Sequence, residues 1–393
     1  MIIKYLKINI CLLHSESVGR LLATTEFYLR KQYIDKNRAL HIFISGEPAL
    51  PYMLKMYKQK GLVIKNRFLH SLLQNISRQP FFKSIVNKME LNGFYDWEVW
   101  NNAPAQLKLT EKEHEKGGEF LKDIGVEKDA NYVCIHARDN SYTDTFQKRD
   151  TYWKENDFRD CNIKNYEKAV FYLASKGIYV IRMGDRNSPP LKTDHPFIID
   201  YATKYKSDFA DVFLSATCKF FLGNTSAVYL LASIFNVPVA YANMVPIGEC
   251  GRKKSDIYIL KKIYDEKKNQ YISYKQLKEL SAKWFSDQTN ITEQQAYILN
   301  RSNSLLYSRL NREQLEILQK NGIKIEENNP EEVLWLAKEM NKRLDGSYKE
   351  PLDFDAVQKK HLSVFDKQHP FSIDPPVSTV CYNFIKKNEG LWE

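Results

Sequence analysis

Three short stretches of this chain gather side chains able to grip and turn over a charged ligand. The first is Ile135-His136-Ala137-Arg138-Asp139. Alternation along an extended chain puts His136 and Arg138 on one side, with Asp139 at the end. An arginine fork there suits a diphosphate, and a histidine or carboxylate beside it suits proton transfer. A structural ion pair at a strand end is the competing reading. The second stretch is Ile181-Arg182-Met183-Gly184-Asp185-Arg186. Gly184 lets a ligand approach the backbone and Asp185 can accept from a ribose or base, although Gly-Asp is also common in plain turns. The third, Gly223-Asn224-Thr225-Ser226, lies between an apolar strand-like run and an apolar helix-like run. Backbone N–H groups and a hydroxyl at a helix start form an anion site, or a simple N-cap.

These stretches assign binding of the anionic ligand to Arg138, Arg182, Gly184, Asp185, Gly223, Asn224, Thr225 and Ser226. Asp139 and His136 are the candidates for a catalytic acid or base. Glu16, in the polar turn His14 to Arg20, is a third. Other signatures are missing from the sequence. It has no G-x-G-x-x-G after a strand, no phosphate loop ending in Gly-Lys-Ser/Thr and no H-E-x-x-H. The D-x-D at Asp353-Phe354-Asp355 lies in the C-terminal tail and reads as solvated acids, so no metal site is expected. Asn224-Thr225-Ser226 matches a glycosylation sequon only formally, with no secretory signal ahead of it.

The elements that must position these residues alternate. Ile8 to Leu13 reads as a strand, Leu21 to Tyr33 as a helix, Leu40 to Ile44 as a strand and Tyr52 to Tyr57 as a helix ending at Gly61. From Ile64 to Trp100 the pattern blurs. Lys108 to Glu127, highly charged around Gly117-Gly118, reads as a partly helical connection. Strands then follow at Tyr132 to Arg138, Ile178 to Met183, Phe197 to Ile199, Cys218 to Leu222 and Val237 to Ala242. Between them come helices at Tyr166 to Ser175, Phe209 to Ala216 and Ser226 to Phe235. Asn162 is an N-cap for the first of these and Gly177 its stop. Connections this short fit parallel βαβ units.

The long stretch Asn140 to Cys161 carries Tyr142, Phe146, Tyr152, Trp153 and Phe158 and reads as an active-site lid. Residues Ser255 to Glu393 are mostly helical and polar, with the clearest helices at Tyr274 to Trp284 and Pro330 to Arg343. The fold class is α/β, with two Rossmann-like doubly wound domains and a mostly helical C-terminal segment. The expected boundaries are 1–107, a connection at 108–130, 131–254, and a helical region at 255–393 packing on both domains.

A length of 393 residues accommodates two ordinary cores, and the formal net charge of +10 suits an anionic partner. The bases are scattered in short clusters such as Arg252-Lys253-Lys254 and Lys261-Lys262, which disfavours nucleic acid. The six cysteines are far apart with no C-x-x-C, and three sit in apolar strand-like runs, which points to a reducing compartment. The opening residues lack a signal peptide's apolar length and cleavage site, and no stretch approaches the length of a membrane span. The expected location is cytoplasmic, with peripheral contact to the inner face of an anionic membrane.

His136-Ala137-Arg138-Asp139, Arg182-Met183-Gly184-Asp185, Ile199-Asp200-Tyr201 and Phe221 to Ser226 together resemble a family of bacterial glycosyltransferases. That family is of the two-Rossmann (GT-B) type and is associated with surface-polysaccharide synthesis. The resemblance extends to Val18-Gly19-Arg20, Asn329-Pro330-Glu331-Glu332 and Glu339 to Gly346, and so covers most of the chain. The family often has Ser-Gly where this chain has Ser226-Ala227. More distantly, the chain is similar to fucosyltransferases, whose H-x-R-R motif grips the donor diphosphate. His136 and Arg138 match that motif and Asp139 replaces its second arginine, which puts a guanosine-diphosphate-fucose donor in question.

The resemblance implies transfer of a sugar from a nucleotide-sugar donor to a glycan or lipid-linked acceptor. The first domain would hold the acceptor and the second the donor, with reaction in the cleft between them. Inversion of configuration and independence from metal are the further expectations, with the nucleotide sugar as substrate and no cofactor. A sugar-nucleotide epimerase or hydrolase, and an inert glycan- or nucleotide-binding subunit, are the alternatives.

Overall fold

The computed structural model describes residues 8–77, 79, 81, 86–89, 96–141, 156–191, 193–245, 251, 253–277, 312–364 and 377–393. The mixed α/β chain forms two compact units with Rossmann-like sheets, and its C-terminal region is mostly helical.

The first unit comprises Met1–Asp129 together with Lys206–Cys218 and Ser226–Pro238. Its sheet is built from β1 (Ile8–Leu12), β2 (Leu40–Ser45), β3 (Gly61–Lys65) and β4 (Val86–Lys88), in the order β3-β2-β1-β4. All pairings are parallel, and the register runs from Ile8 opposite Leu40 to Leu12 opposite Ile44. Alternation divides the strands between two faces. Leu12, Ile44 and Val86 form the core on one face, where Ile10, Ile42, Ile64 and the helix residues Leu69 and Leu73 pack on them. Cys11 and Phe43 are buried too, and the Phe43 ring lies 6.0 Å from that of Tyr57.

Gly61, where a helix end is expected, instead begins β3, and the helix Tyr52–Tyr57 stops four residues earlier. The blurred stretch contains β3, the helix Arg67–Ile76, β4 and the helix Trp97–Asn102. The charged segment expected as a connection is the helix Glu111–Asp123, started by a capping box between Thr110 and Glu113. It packs through Gly117 against the ring of Phe213, which occupies the space a side chain would need.

Arg30 ties the later segment Ser226–Pro238 into this unit. It is fully buried and pairs with Glu26 at 2.8 Å. It also donates to the carbonyls of Trp100 (2.9 Å), Ala103 (3.0 Å) and Ile234 (3.3 Å) and to Asn236 Oδ1 (2.8 Å). Burial pushes the Glu26 carboxyl up, and the Arg30 charge opposes that shift.

The second unit comprises Ala130–Tyr205, Lys219–Thr225 and Val239–Glu393. Its main strands are β5 (Tyr132–His136), β6 (Tyr179–Arg182), β7 (Ile198–Ile199), β8 (Phe221–Gly223), β9 (Val239–Met244) and β10 (Ile257–Leu260). A small antiparallel sheet follows, of β11 (Lys262–Asp265), β12 (Gln270–Ile272) and β13 (Ile323–Glu326). The last strand, β14 (Thr379–Val380), returns to the main sheet, whose order is β14-β10-β9-β8-β5-β6-β7. Every pairing in the main sheet is parallel. Strands β5, β6, β8 and β9 are buried at every residue, as the continuous apolar runs of a parallel sheet require.

Asn162 caps a 3-10 turn, Ile163–Tyr166, which leads into the helix Glu167–Ser175. The C-terminal helices Pro330–Leu344, Phe354–Leu362 and Tyr382–Lys387 accompany the strands β10 to β14. Asn329 caps Pro330–Leu344 through a reciprocal bond with Glu332, whose other oxygen pairs with the buried Lys262 at 3.0 Å. The helix expected at Tyr274 to Trp284 lies mostly outside the described residues, as do 142–155 of the expected lid.

Candidate active site

In the second unit the chain runs from β5 outward through β6 to β7, then returns to the other side of β5 to lay down β8, β9 and β10. Strand order therefore reverses between β5 and β8. In open parallel sheets, ligands bind outside the carboxyl ends of the strands at such a point. The residues at these two ends are Ala137, Arg138 and Asp139 after β5, and Asn224 and Thr225 after β8.

Asn224 ties this mouth together. Fully buried, it accepts from the Arg138 backbone N–H through Oδ1 (2.9 Å) and donates through Nδ2 to the Arg159 carbonyl (2.7 Å). The Cys161 N–H in turn bonds the Arg138 carbonyl at 3.0 Å. Gly223 allows β8 to lie this close, since a Cβ there would stand 3.1 Å from the His136 carbonyl and 2.8 Å from the Phe221 ring. The Arg138 guanidinium is buried, donates to the Asn156 carbonyl (3.2 Å) and forms an ion pair with Asp160.

Lys261, immediately after β10, is also buried and donates to the carbonyls of Phe158 (3.0 Å) and Asp160 (2.6 Å). Burial holds its pKa below the usual lysine value, and the Arg138 charge adds to that, against the opposing Cys161 and Glu327. Arg159 is buried as well. The segment 156–161 is thus pinned by Arg138, Asn224 and Lys261, with Arg138 paired to the Asp160 carboxylate and Lys261 bonded to its carbonyl.

The other expected donor residues have local partners. At the mouth of β6, Arg182 pairs with Asp200 (3.2 Å) and donates to the Pro189 carbonyl (2.9 Å), while Asp200 accepts from the Leu191 N–H. It fastens the 189–200 loop. Gly184 adopts φ +147°, open to glycine, and faces His136: a Cβ there would lie 3.5 Å from His136 Nδ1. That Nδ1 lies 3.3 Å from the Met183 carbonyl, which can only accept, so it carries the proton and Nε2 is the basic nitrogen. Asp185 accepts from Asn187 N (3.0 Å) and Nδ2 (3.2 Å), closing its own turn. Thr225 Oγ1 donates to the Val245 carbonyl (3.1 Å). Ser226 belongs to the first unit and its Oγ accepts from Val228 N (3.3 Å); the helix begins three residues later, at Tyr229. Asp139 is half-buried and its Oδ1 accepts from Ser141 N (2.8 Å).

Glu16 stands in the first unit, at that unit's own reversal. There the chain runs β1, β2, β3 in one direction and places β4 on the other side of β1. Its side chain is 58% exposed, and its Oε1 lies 3.9 Å from His14 Nδ1. His14 Nε2 lies 2.8 Å from the Met89 carbonyl, so it holds the proton and Nδ1 is the basic nitrogen facing Glu16.

Sequence reasoning missed His14, Asp160 and Lys261. The His14–Glu16 spacing and the Lys261-Lys262 pair were visible. What Lys261 touches depends on β10, a strand the sequence pattern does not reveal.

No protein-family model matches the chain, and a search of curated proteins finds no match. Among solved structures, ADP-heptose lipopolysaccharide heptosyltransferase II of E. coli is 14% identical. The likeness covers 64% of this chain and 89% of that one, with a TM-score of 0.42. A glycosyl transferase family 9 structure from Veillonella parvula is 12% identical over 79% of this chain and 96% of its own, with a TM-score of 0.41. The dodecameric iron-containing heptosyltransferase TibC of E. coli gives 15% identity, 60% and 57% coverage, and a TM-score of 0.30. Likenesses this remote carry no weight for activity, so the site must stand on its own geometry.

Proposed function

We propose that this chain is a glycosyltransferase that moves a sugar from a nucleotide-sugar donor to a glycan or lipid-linked acceptor. The observation that supports this best is the convergence of Arg138, Asn224, Arg159 and Lys261 where the strand order of the second unit reverses. The donor diphosphate would sit at this mouth. Asp160 occupies Arg138 in a manner a phosphate oxygen can replace, exchanging one charge-assisted pair for another. As the glycosidic bond to the diphosphate breaks, Arg138 and Lys261 stabilise the negative charge left on the leaving phosphate oxygen. These cations supply the role that a divalent ion has elsewhere, so the proposed transfer is independent of metal.

The second unit binds the donor in this reading and the first binds the acceptor. An inverting attack needs a group to take the acceptor hydroxyl proton as the new bond forms. His136, Asp139 and Glu16 are the candidates, and His14 joins them because its Nδ1 faces Glu16. Arg182 and Asp185 support the mouth by holding its neighbouring loop and turn. A cytoplasmic location, where nucleotide sugars are made, completes the proposal.

The test is calorimetry of the purified chain against a panel of nucleoside diphosphates and their sugars. Saturable binding of one nucleotide class, with release of that diphosphate in the presence of acceptor and of excess chelator, is the expected result. Binding of none would refute the donor site. Activity abolished by chelator and restored by a divalent ion would refute the metal-independent route.

A further inference from the structure

The helix Arg67–Ile76 is amphipathic in an unusual way. Its inner face, Leu69 and Leu73, packs on the core of the first sheet. Its outer face is not wholly polar: Phe68 is 79% exposed and Leu72, one turn further on, 44%. Five residues past the helix Phe81 is 70% exposed, and Leu62, on edge strand β3 and the same sheet face as Ile64, is 53% exposed. Single exposed apolar residues are ordinary, but Phe68 and Leu72 stand one turn apart on the same helix face, with Leu62 and Phe81 exposed on its flanks.

The sequence of this stretch is one-sided in charge. Between Pro48 and Met89 the sequence has eight lysines and arginines and no aspartate or glutamate. Two of them, Lys55 and Lys65, are met by Glu113 and Glu47, leaving a strong excess. Arg67 lies beside Phe68 at the start of the helix, and Lys60 and Lys65 flank Leu62.

We infer that this face of the first unit is a membrane-docking surface that inserts Phe68, Leu72 and Phe81 between anionic lipid headgroups. An amphipathic helix lying in the interface buries aromatic and leucine side chains just below the headgroups while Lys and Arg pair with anionic lipid. A protein partner needs matching acids and a fitted groove. A lipid surface needs only the two properties present here, protruding apolar side chains and an excess of lysine and arginine in the same stretch of chain. The inference is independent of the donor site. It deepens the transferase reading, because a lipid-linked acceptor would be met at such a surface.

The test is flotation of the full chain with vesicles of phosphatidylcholine alone and of phosphatidylcholine with one-third phosphatidylglycerol. The chain should bind the anionic vesicles, with affinity falling as salt rises. The double variant Phe68→Ser/Leu72→Ser should lose about tenfold or more of that binding. A second variant, Phe68→Trp, gives a direct readout: the emission it adds to the parent's should shift to the blue on anionic vesicles and be quenched by brominated lipid. Nucleotide binding in solution should be the same in all variants, which separates failure here from failure of the donor site. Wild-type protein that stays unbound with anionic vesicles overturns the inference. So does an added emission in the Phe68→Trp variant that lipid leaves unmoved, or a dimer in solution that the double substitution dissolves without any lipid binding.

Discussion

The mouth of β5 and β8 and the mouth of β1 and β4 come from the same topological event, a reversal of strand order in a parallel sheet. They have opposite chemistry. The first is buried and cationic, with Asn224 bridging β8, β5 and the 156–161 segment around Arg138. The second is open and basic in the proton-accepting sense: Glu16 is mostly exposed, and His14 has one anchor, the Met89 carbonyl. Topology thus places a ligand site without choosing its chemistry. The residues just past each strand end do that, in one unit setting cations against a carboxylate and in the other setting a histidine beside an exposed carboxylate.

The comparison breaks first, and by the largest margin, at His14 and Glu16. If this mouth takes the acceptor proton, His14→Ala or Glu16→Gln should lower kcat about 10²–10⁴-fold. Nucleotide affinity should be unchanged. A kcat within a few-fold of the parent would move the base to His136 or Asp139.

Arg138→Ala comes next. Losing a desolvated charged contact should weaken nucleoside diphosphate binding by about 2–4 kcal/mol by calorimetry. The half-buried Asp160 left without its partner should also lower the melting temperature. Unchanged affinity would remove Arg138 from the donor site and leave it as a structural partner of Asp160.

Asn224→Ala separates architecture from chemistry. It leaves the Arg138 N–H and the Arg159 carbonyl without their side-chain partner, at a cost of about 1–3 kcal/mol in stability. Denaturant melts should show that loss, whereas Thr225→Val should cost less because it removes one hydroxyl bond to the Val245 carbonyl and a weak one to the Met244 sulfur. Equal melts for Asn224→Ala and the parent would show that the mouth is not held together by this side chain.

The smallest effect concerns acid. His361 accepts from Trp392 Nε1 (3.0 Å) and bonds Tyr258, and burial pushes its pKa down to about 3. A histidine depressed in the folded state binds its proton only on unfolding, so stability is lost as pH falls from about 6.5 toward 3. The cost should reach about 1–2 kcal/mol by pH 5. His361→Gln should flatten that decline in pH-dependent melts. An identical pH profile would show that other groups carry the acid sensitivity.

The middle of the second sheet was legible because β5, β6, β8 and β9 are buried on both faces and read as continuous apolar runs. Strand β10, Ile257–Leu260, has the same composition, but polar residues surround it and no helix in the described residues links it to β9 in the usual rhythm. Strand β14 is two residues long, below what any pattern can reveal. The stretch Ile64 to Trp100 was illegible for a different reason. Phe68 and Leu72 put apolar residues on the solvent side of their helix and blur its period. At the site, Arg138 and Asn224 were legible because strand ends next to polar residues invite inspection. Asp160 and Lys261 were not: the Lys261 bonds to Phe158 and Asp160 span 103 and 101 residues. Such contacts are set by sheet order, which no local spacing encodes.

Arg30 also has a consequence for how the chain is made. It is sealed in the first unit by groups that include the Ile234 carbonyl, 204 residues further along. A ribosome adding about 5–20 residues per second needs roughly 10–40 s to reach that partner after Arg30 has emerged. For most of that interval, from residue 88 onward, the first sheet is already written, yet the segment 226–238 that completes its core does not exist. The nascent first unit therefore waits with a guanidinium it cannot fully bury and an apolar helix face without its cover, and it is finished only after most of the second sheet's strands have been translated.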